Sequence, residues 1–121
     1  MRTPYILTML FMDLLKQSRG SIVNVSCDKG SRPEAGQIGY GMAKAGMEMF
    51  TQASALELAP FGVRLNAVAP SFVDTNLYRT TNMSEPELIQ HTKRVNANNP
   101  TQRSCTIPEV CKAIIFLTSQ Q

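Results

Sequence analysis

Gly20-Ser-Ile-Val-Asn-Val-Ser-Cys27, then Tyr40-Gly-Met-Ala-Lys44, then Val63-Arg-Leu-Asn-Ala-Val-Ala-Pro70 are the stretches that decide the fold. Ile22, Val23 and Val25 form a short β-branched run between a glycine and a polar loop, so Gly20 to Ser26 reads as a strand. Gly30, Pro33 and Gly36 mark 28–37 as loop. From about Ile38 to Ala59 the apolar residues recur at helical steps. Met42, Ala45, Met49, Ala53 and Leu56 mark one face, and Met47, Phe50, Ser54 and Leu58 a neighbouring one, until Pro60 and Gly62 stop the helix. Val63 to Ala69 is a second short apolar strand, closed by Pro70. Two strands joined by a long crossover pair in parallel and right-handedly. Their near-continuous apolar character fits a sheet covered on both faces.

Working outward, residues 3–18 read as one helix. Pro4 suits its first turn, and Gly20 is the expected C′ residue. Ile6, Leu7, Met9, Leu10, Phe11, Leu14 and Leu15 cover more than one face, which predicts packing on two sides. Asp13 interrupts this apolar run and no small-residue cleavage site follows, so it reads as a buried helix rather than a signal peptide. It is also too short to span a bilayer. On the other side, 71–104 is polar and irregular. It holds one short helix candidate opening at the capping-box pattern Ser84-Glu85-Pro86-Glu87. A second such pattern, Thr106-Ile107-Pro108-Glu109, opens a last helix whose apolar face is Val110, Ala113, Ile114 and Leu117.

Composition limits the function classes. The chain has 121 residues, 43% hydrophobic and 17% charged, which excludes disorder and suits one domain or part of one. Its net charge of +3 comes from scattered cations, so no nucleic-acid footprint is expected. The three cysteines, Cys27, Cys105 and Cys111, are odd in number and lack a C-x-x-C spacing. No metal site is expected, and a reducing, cytoplasmic location fits. The single histidine, His91, sits in a polar stretch and reads as a solvated surface residue.

Tyr40 and Lys44 lie four apart, so their side chains share a helix face. Both fall near the helix start, just after a loop that follows a strand, and ligands bind at that edge of an open parallel sheet. A free tyrosine, with a pKa of about 10, is a poor base near neutrality. A neighbouring ammonium favours its phenolate, and such a tyrosine can protonate a carbonyl or deprotonate an alcohol. Taken alone, the spacing describes an ordinary surface pair.

The flanking segments change that. In order and spacing, 20–27, 40–44 and 63–70 closely resemble the short-chain dehydrogenase/reductase family, as does the C-terminal Pro-Glu-Val-x-x-Ala-Ile-x-Phe-Leu helix. The nearest subset is the bacterial-type 3-oxoacyl reductases and glucose dehydrogenases, and the resemblance is to their C-terminal portion. It implies an α/β fold: a partial Rossmann-type, doubly wound parallel sheet, helix-strand-helix-strand plus C-terminal helices, with the N-terminal cofactor-binding half absent. Residues 1–70 would be the catalytic core, 71–105 the substrate lid and 106–121 the C-terminal helix.

The implied activity is hydride transfer between NAD or NADP and a small carbonyl or alcohol. Tyr40 would be the general acid/base, and Lys44 would tune it and grip the nicotinamide ribose. Pro70-Ser-Phe-Val-Asp-Thr75 resembles the family's Pro-Gly-x-x-x-Thr turn, which places Pro70, Ser71, Val73 and Thr75 at the cofactor. Helices 3–18 and 38–59 would form a homo-oligomer interface, or pair with a full-length relative. No membrane partner is implied.

The chain departs from the family at four places. Cys27 occupies the position of the substrate-binding serine, thirteen residues before Tyr40. Ser26 could substitute only if the strand end shifts, because adjacent strand residues face opposite sides. Ser71 replaces a glycine and is expected to crowd the nicotinamide end. No Gly-x-x-x-Gly-x-Gly turn is present, and the asparagine of the family's tetrad would lie upstream of Met1. The family's last strand would lie beyond Gln121. These departures leave a second reading, a non-catalytic interaction module.

Overall fold

The computed structural model describes residues 2–77 and 83–119. The elements run α1 (Arg2–Leu10), α2 (Met12–Ser18), β1 (Ser21–Val25), α3 (Ile38–Leu58), β2 (Arg64–Val68), α4 (Glu85–Asn98) and α5 (Ile107–Thr118). The strands pair in parallel, from Ser21 opposite Arg64 to Val25 opposite Val68. α3 is the crossover between them, as the β-branched runs and helical spacing require.

The core is small. Leu58, Val63 and Leu65 are buried at its centre, with Met12, Leu15, Ile22 and Ala55 packed around them. Polar stitching supplements it. Asn24 Nδ2 donates to Thr51 Oγ1 at 2.8 Å in a buried contact, which ties β1 to α3. The Arg64 guanidinium donates to the carbonyls of Leu117 and Ser119 at 2.9 and 3.0 Å. It thereby satisfies groups that the end of α5 leaves open and places a cation at the helix C-terminus.

Four details differ from the sequence reading. The expected helix 3–18 is broken at Phe11, whose φ of −94° and ψ of 4° leave the helical region. Hydrogen bonds from Phe11 N to Leu7 O and from Leu15 N to Phe11 O carry the ladder across the kink. The left-handed residue after α2 is Arg19, at φ 50°, not Gly20. Glycine is needed at 20 for space, since a Cβ there would meet Leu15 Cδ2 at 3.0 Å and Ser18 Oγ at 3.1 Å. The helices are not covered on two sides by this chain: Leu10, Leu14, Met42, Met49 and Leu56 are all more than half exposed.

Finally, the segment read as irregular carries the fourteen-residue α4. Its start was legible: the Ser84 amide and hydroxyl both donate to Glu87 Oε2, at 2.8 and 2.7 Å. Its length was not, because its inward stripe of Leu88, His91, Thr92 and Val95 is half polar.

At the start of α5, Thr106 N donates to Glu109 Oε2 at 2.8 Å and Arg103 Nη2 to Glu109 Oε1 at 2.6 Å. The Arg103 contact, followed by the Thr106 backbone and hydroxyl, holds the Glu109 carboxyl down at about 2. The folded value lies below the ordinary carboxylate one. The stabilisation is therefore full above the ordinary pKa and is lost as pH falls from about 4.5 toward 2. Glu109→Gln is expected to lower the melting temperature at pH 6, and the gap to wild type should close in acid. Thermal melts followed by circular dichroism check this; a pH-independent gap would reject the electrostatic account.

Candidate active site

A cavity of about 200 Å³ opens where the strands end, between α3 and α4. Ser26, Cys27, Tyr40 and Lys44 line it from β1 and α3, and Pro70, Ser71, Val73 and Thr75 from the segment after β2. The fold thus brings together every candidate residue read from the sequence.

The Lys44 ammonium lies 5.6 Å from the centre of the Tyr40 ring. It donates one hydrogen bond to the Val25 carbonyl at 2.9 Å, and an ammonium has three donors. The strand end therefore fixes the cation beside the phenol. Tyr40 itself is 43% exposed.

Ser26 and Cys27 divide as strand alternation requires. Ser26 is 3% exposed, and its hydroxyl donates to Glu48 Oε1 at 2.9 Å, toward α3. The Cys27 thiol is half-buried on the cavity wall and donates to Asp28 Oδ1 at 3.2 Å.

The Ser71 hydroxyl donates to Asn99 Oδ1 at 3.1 Å. Val73 is held by a parallel bridge to Cys105, and Cys105 N donates to the Phe72 carbonyl at 2.9 Å. Thr75 Oγ1 accepts from Leu77 N at 3.3 Å. Of the expected lid, residues 78–82 lie outside the described residues.

Sequence reasoning missed the far wall. His91 is not a solvated surface residue. It is half-buried, lines the cavity, and stacks edge-on against Phe72 with ring centres 5.9 Å apart. The spacing Leu88, His91, Val95 on one helix face is the signal that could have placed it. Glu34 links this wall to the loop after β1. It pairs with Lys29 at 2.9 Å and with Arg94 of α4 at 3.5 Å. The Glu34 contact leads the causes that raise the Lys29 pKa.

The residues fit the nicotinamide end of a dinucleotide: an ammonium with donors to give, a phenol, and a backbone segment held in place across a gap. The volume is below the ~300–1,000 Å³ of complete small-molecule sites, which suits the reactive end rather than a whole cofactor. Among the described residues, no group of three or more His, Cys, Asp or Glu is placed to hold a metal. No helix among them is long and apolar enough to cross a membrane.

Comparison with known proteins identifies the fold and family. A family model described as enoyl-(acyl carrier protein) reductase matches residues 2–121. The chain is 36% identical over 107 residues to the 3-oxoacyl-(acyl-carrier-protein) reductase FabG of Aquifex aeolicus (strain VF5), covering 88% of this chain and 41% of that one. A Caenorhabditis elegans short-chain dehydrogenase/reductase of unknown function, solved with cofactor, superposes with a TM-score of 0.87 at 26% identity, covering 98% of this chain and 45% of that one. The structure of ElxO with NADP bound gives 0.84 at 26% identity, covering 97% of this chain and 46% of that one. The chain spans less than half the length of these relatives. With the family model matching residues 2–121 and the fold superposing on solved members, the chain belongs to the short-chain dehydrogenase/reductase family.

Proposed function

We propose that these residues form the catalytic side of an NAD(P)-dependent oxidoreductase that interconverts a carbonyl and an alcohol by hydride transfer. The observation that carries the reading is the Lys44 ammonium, pinned by the Val25 carbonyl and set 5.6 Å from the Tyr40 ring on one cavity with Cys27. The nicotinamide group, when bound, supplies or accepts the hydride. In the reducing direction the Tyr40 hydroxyl gives its proton to the carbonyl oxygen as the carbon gains hydride. Lys44 stabilises the phenolate left behind, which regains a proton from solvent. Lys44 would also hold the nicotinamide ribose. Pro70, Ser71, Val73 and Thr75 would border the nicotinamide, and Cys27, or Ser26 if the strand end moves, would face the substrate oxygen. Residues 1–70 act as the core, 71–105 as the substrate lid and 106–121 as a covering helix. A reducing cytoplasm accords with three free cysteines.

NMR titration with NADPH is the test. Saturable shifts at Lys44, Val73 and Thr75 are expected, with NADPH consumption when small ketones are added. A site unperturbed by millimolar NADPH would sink catalysis by this chain on its own. The exposed apolar faces of α1 to α3, with Leu10 at 72% and Leu56 at 79%, support a second one: an interaction module that self-associates or binds a full-length relative. A chain that ignores NADPH yet co-purifies with such a relative would carry that reading instead.

A further inference from the structure

Helix α3 grips the end of β1 at three successive residues: Asn24 through Thr51, the Val25 carbonyl through Lys44, and Ser26 through Glu48. The last two lead directly into Cys27. The Ser26 hydroxyl has one proton and two acceptors in range, Glu48 Oε1 at 2.9 Å and the Lys44 carbonyl at 3.4 Å. The shorter, charge-assisted contact wins.

Gly30 then folds back over the same carboxylate. A Cβ at position 30 would fall 2.5 Å from Glu48 Oε1 and 3.0 Å from the Lys44 carbonyl carbon. Glu48 therefore touches both ends of the segment 26–30 that presents Cys27. It also lies one helical turn beyond Lys44 on α3. It does not line the cavity; it borders a separate groove with Thr51, Gln52 and Asn66. If the carboxylate were removed, the remaining acceptor for Ser26 would be the Lys44 carbonyl. Ser26 would be drawn toward the helix, and the chain at Cys27 would turn with it.

We propose that Glu48 is a positioning residue of this site: holding Ser26 on one side and abutting Gly30 on the other, it fixes the direction in which Cys27 faces Tyr40 and Lys44. Its catalytic meaning rests on the oxidoreductase reading, but its geometry can be tested without turnover. Cys27 alkylation by iodoacetamide is followed by peptide mass mapping in the full chain, with half-buried Cys105 and exposed Cys111 as internal controls. Glu48→Ala is expected to change the Cys27 rate by at least about threefold, as local opening or reorientation of a half-buried thiol would. The two controls should stay near wild type. Ser26→Ala should give the same change, and the double variant no more than either alone. Glu48→Gln, which keeps an acceptor oxygen, should restore the wild-type rate. An unchanged Cys27 rate in Glu48→Ala overturns the proposal. So does a parallel rise at all three cysteines, which would mean general loosening. Absence of turnover in the wild-type chain would count against the oxidoreductase reading alone.

Discussion

Tyr40→Phe is expected to lower kcat by roughly 10²–10⁴-fold while leaving NADPH affinity within about twofold. The substitution deletes one oxygen and one proton. The ring remains where the Lys44 ammonium faces it at 5.6 Å, and Lys44 keeps its anchor on the Val25 carbonyl. Ground-state contacts to the cofactor are therefore retained, and only the proton transfer to the carbonyl oxygen is lost. That pattern, kcat reduced with binding spared, marks a group whose contribution is confined to the transition state. Steady-state kinetics beside an NADPH titration check it. Retained turnover would reject Tyr40 as the acid/base, and a matched loss of affinity would recast it as a binding residue.

The elements that hold this pair were legible because each one repeats a simple pattern. Ile22, Val23 and Val25 can make little but a strand, and the i, i+3, i+4 spacing from Met42 to Leu58 can make little but a helix. Tyr40 and Lys44 then fall at the strand ends without further information. What escaped the sequence depends on local backbone geometry at two places and on contacts between remote segments at two others. Phe11 breaks the first helix although its own neighbours favour continuation. Gly20 looked like a left-handed cap, but the tight space is against Leu15 and Ser18, and Arg19 takes the left-handed turn. His91 looked solvated because its sequence neighbours are polar, whereas its spatial neighbour is the 7%-exposed Phe72. Glu48 carried no signal either, since it meets Ser26 and Gly30 only after the crossover closes.

The division of labour between Ser26 and Cys27 yields the other large effect. A hydroxyl aimed at the substrate oxygen is an oxyanion-type donor, and adding or removing one changes rates by about 10²–10³-fold. A thiol is a weak donor, and the Cys27 thiol is turned onto Asp28 Oδ1 at 3.2 Å. Ser26 does not compensate, because Glu48 takes its hydroxyl at 2.9 Å on the helix side. Cys27→Ser puts a stronger donor on the cavity wall without adding volume, so the backbone has no reason to move. It is expected to raise kcat for a small ketone about a hundredfold. The comparison is of kcat for the wild-type chain and Cys27→Ser under saturating NADPH. Unchanged turnover would mean that the 27 side chain does not reach the reacting oxygen. A fall would mean that the thiol itself takes part, and the site would then be running a chemistry in which sulfur, not oxygen, is the group that matters at this position.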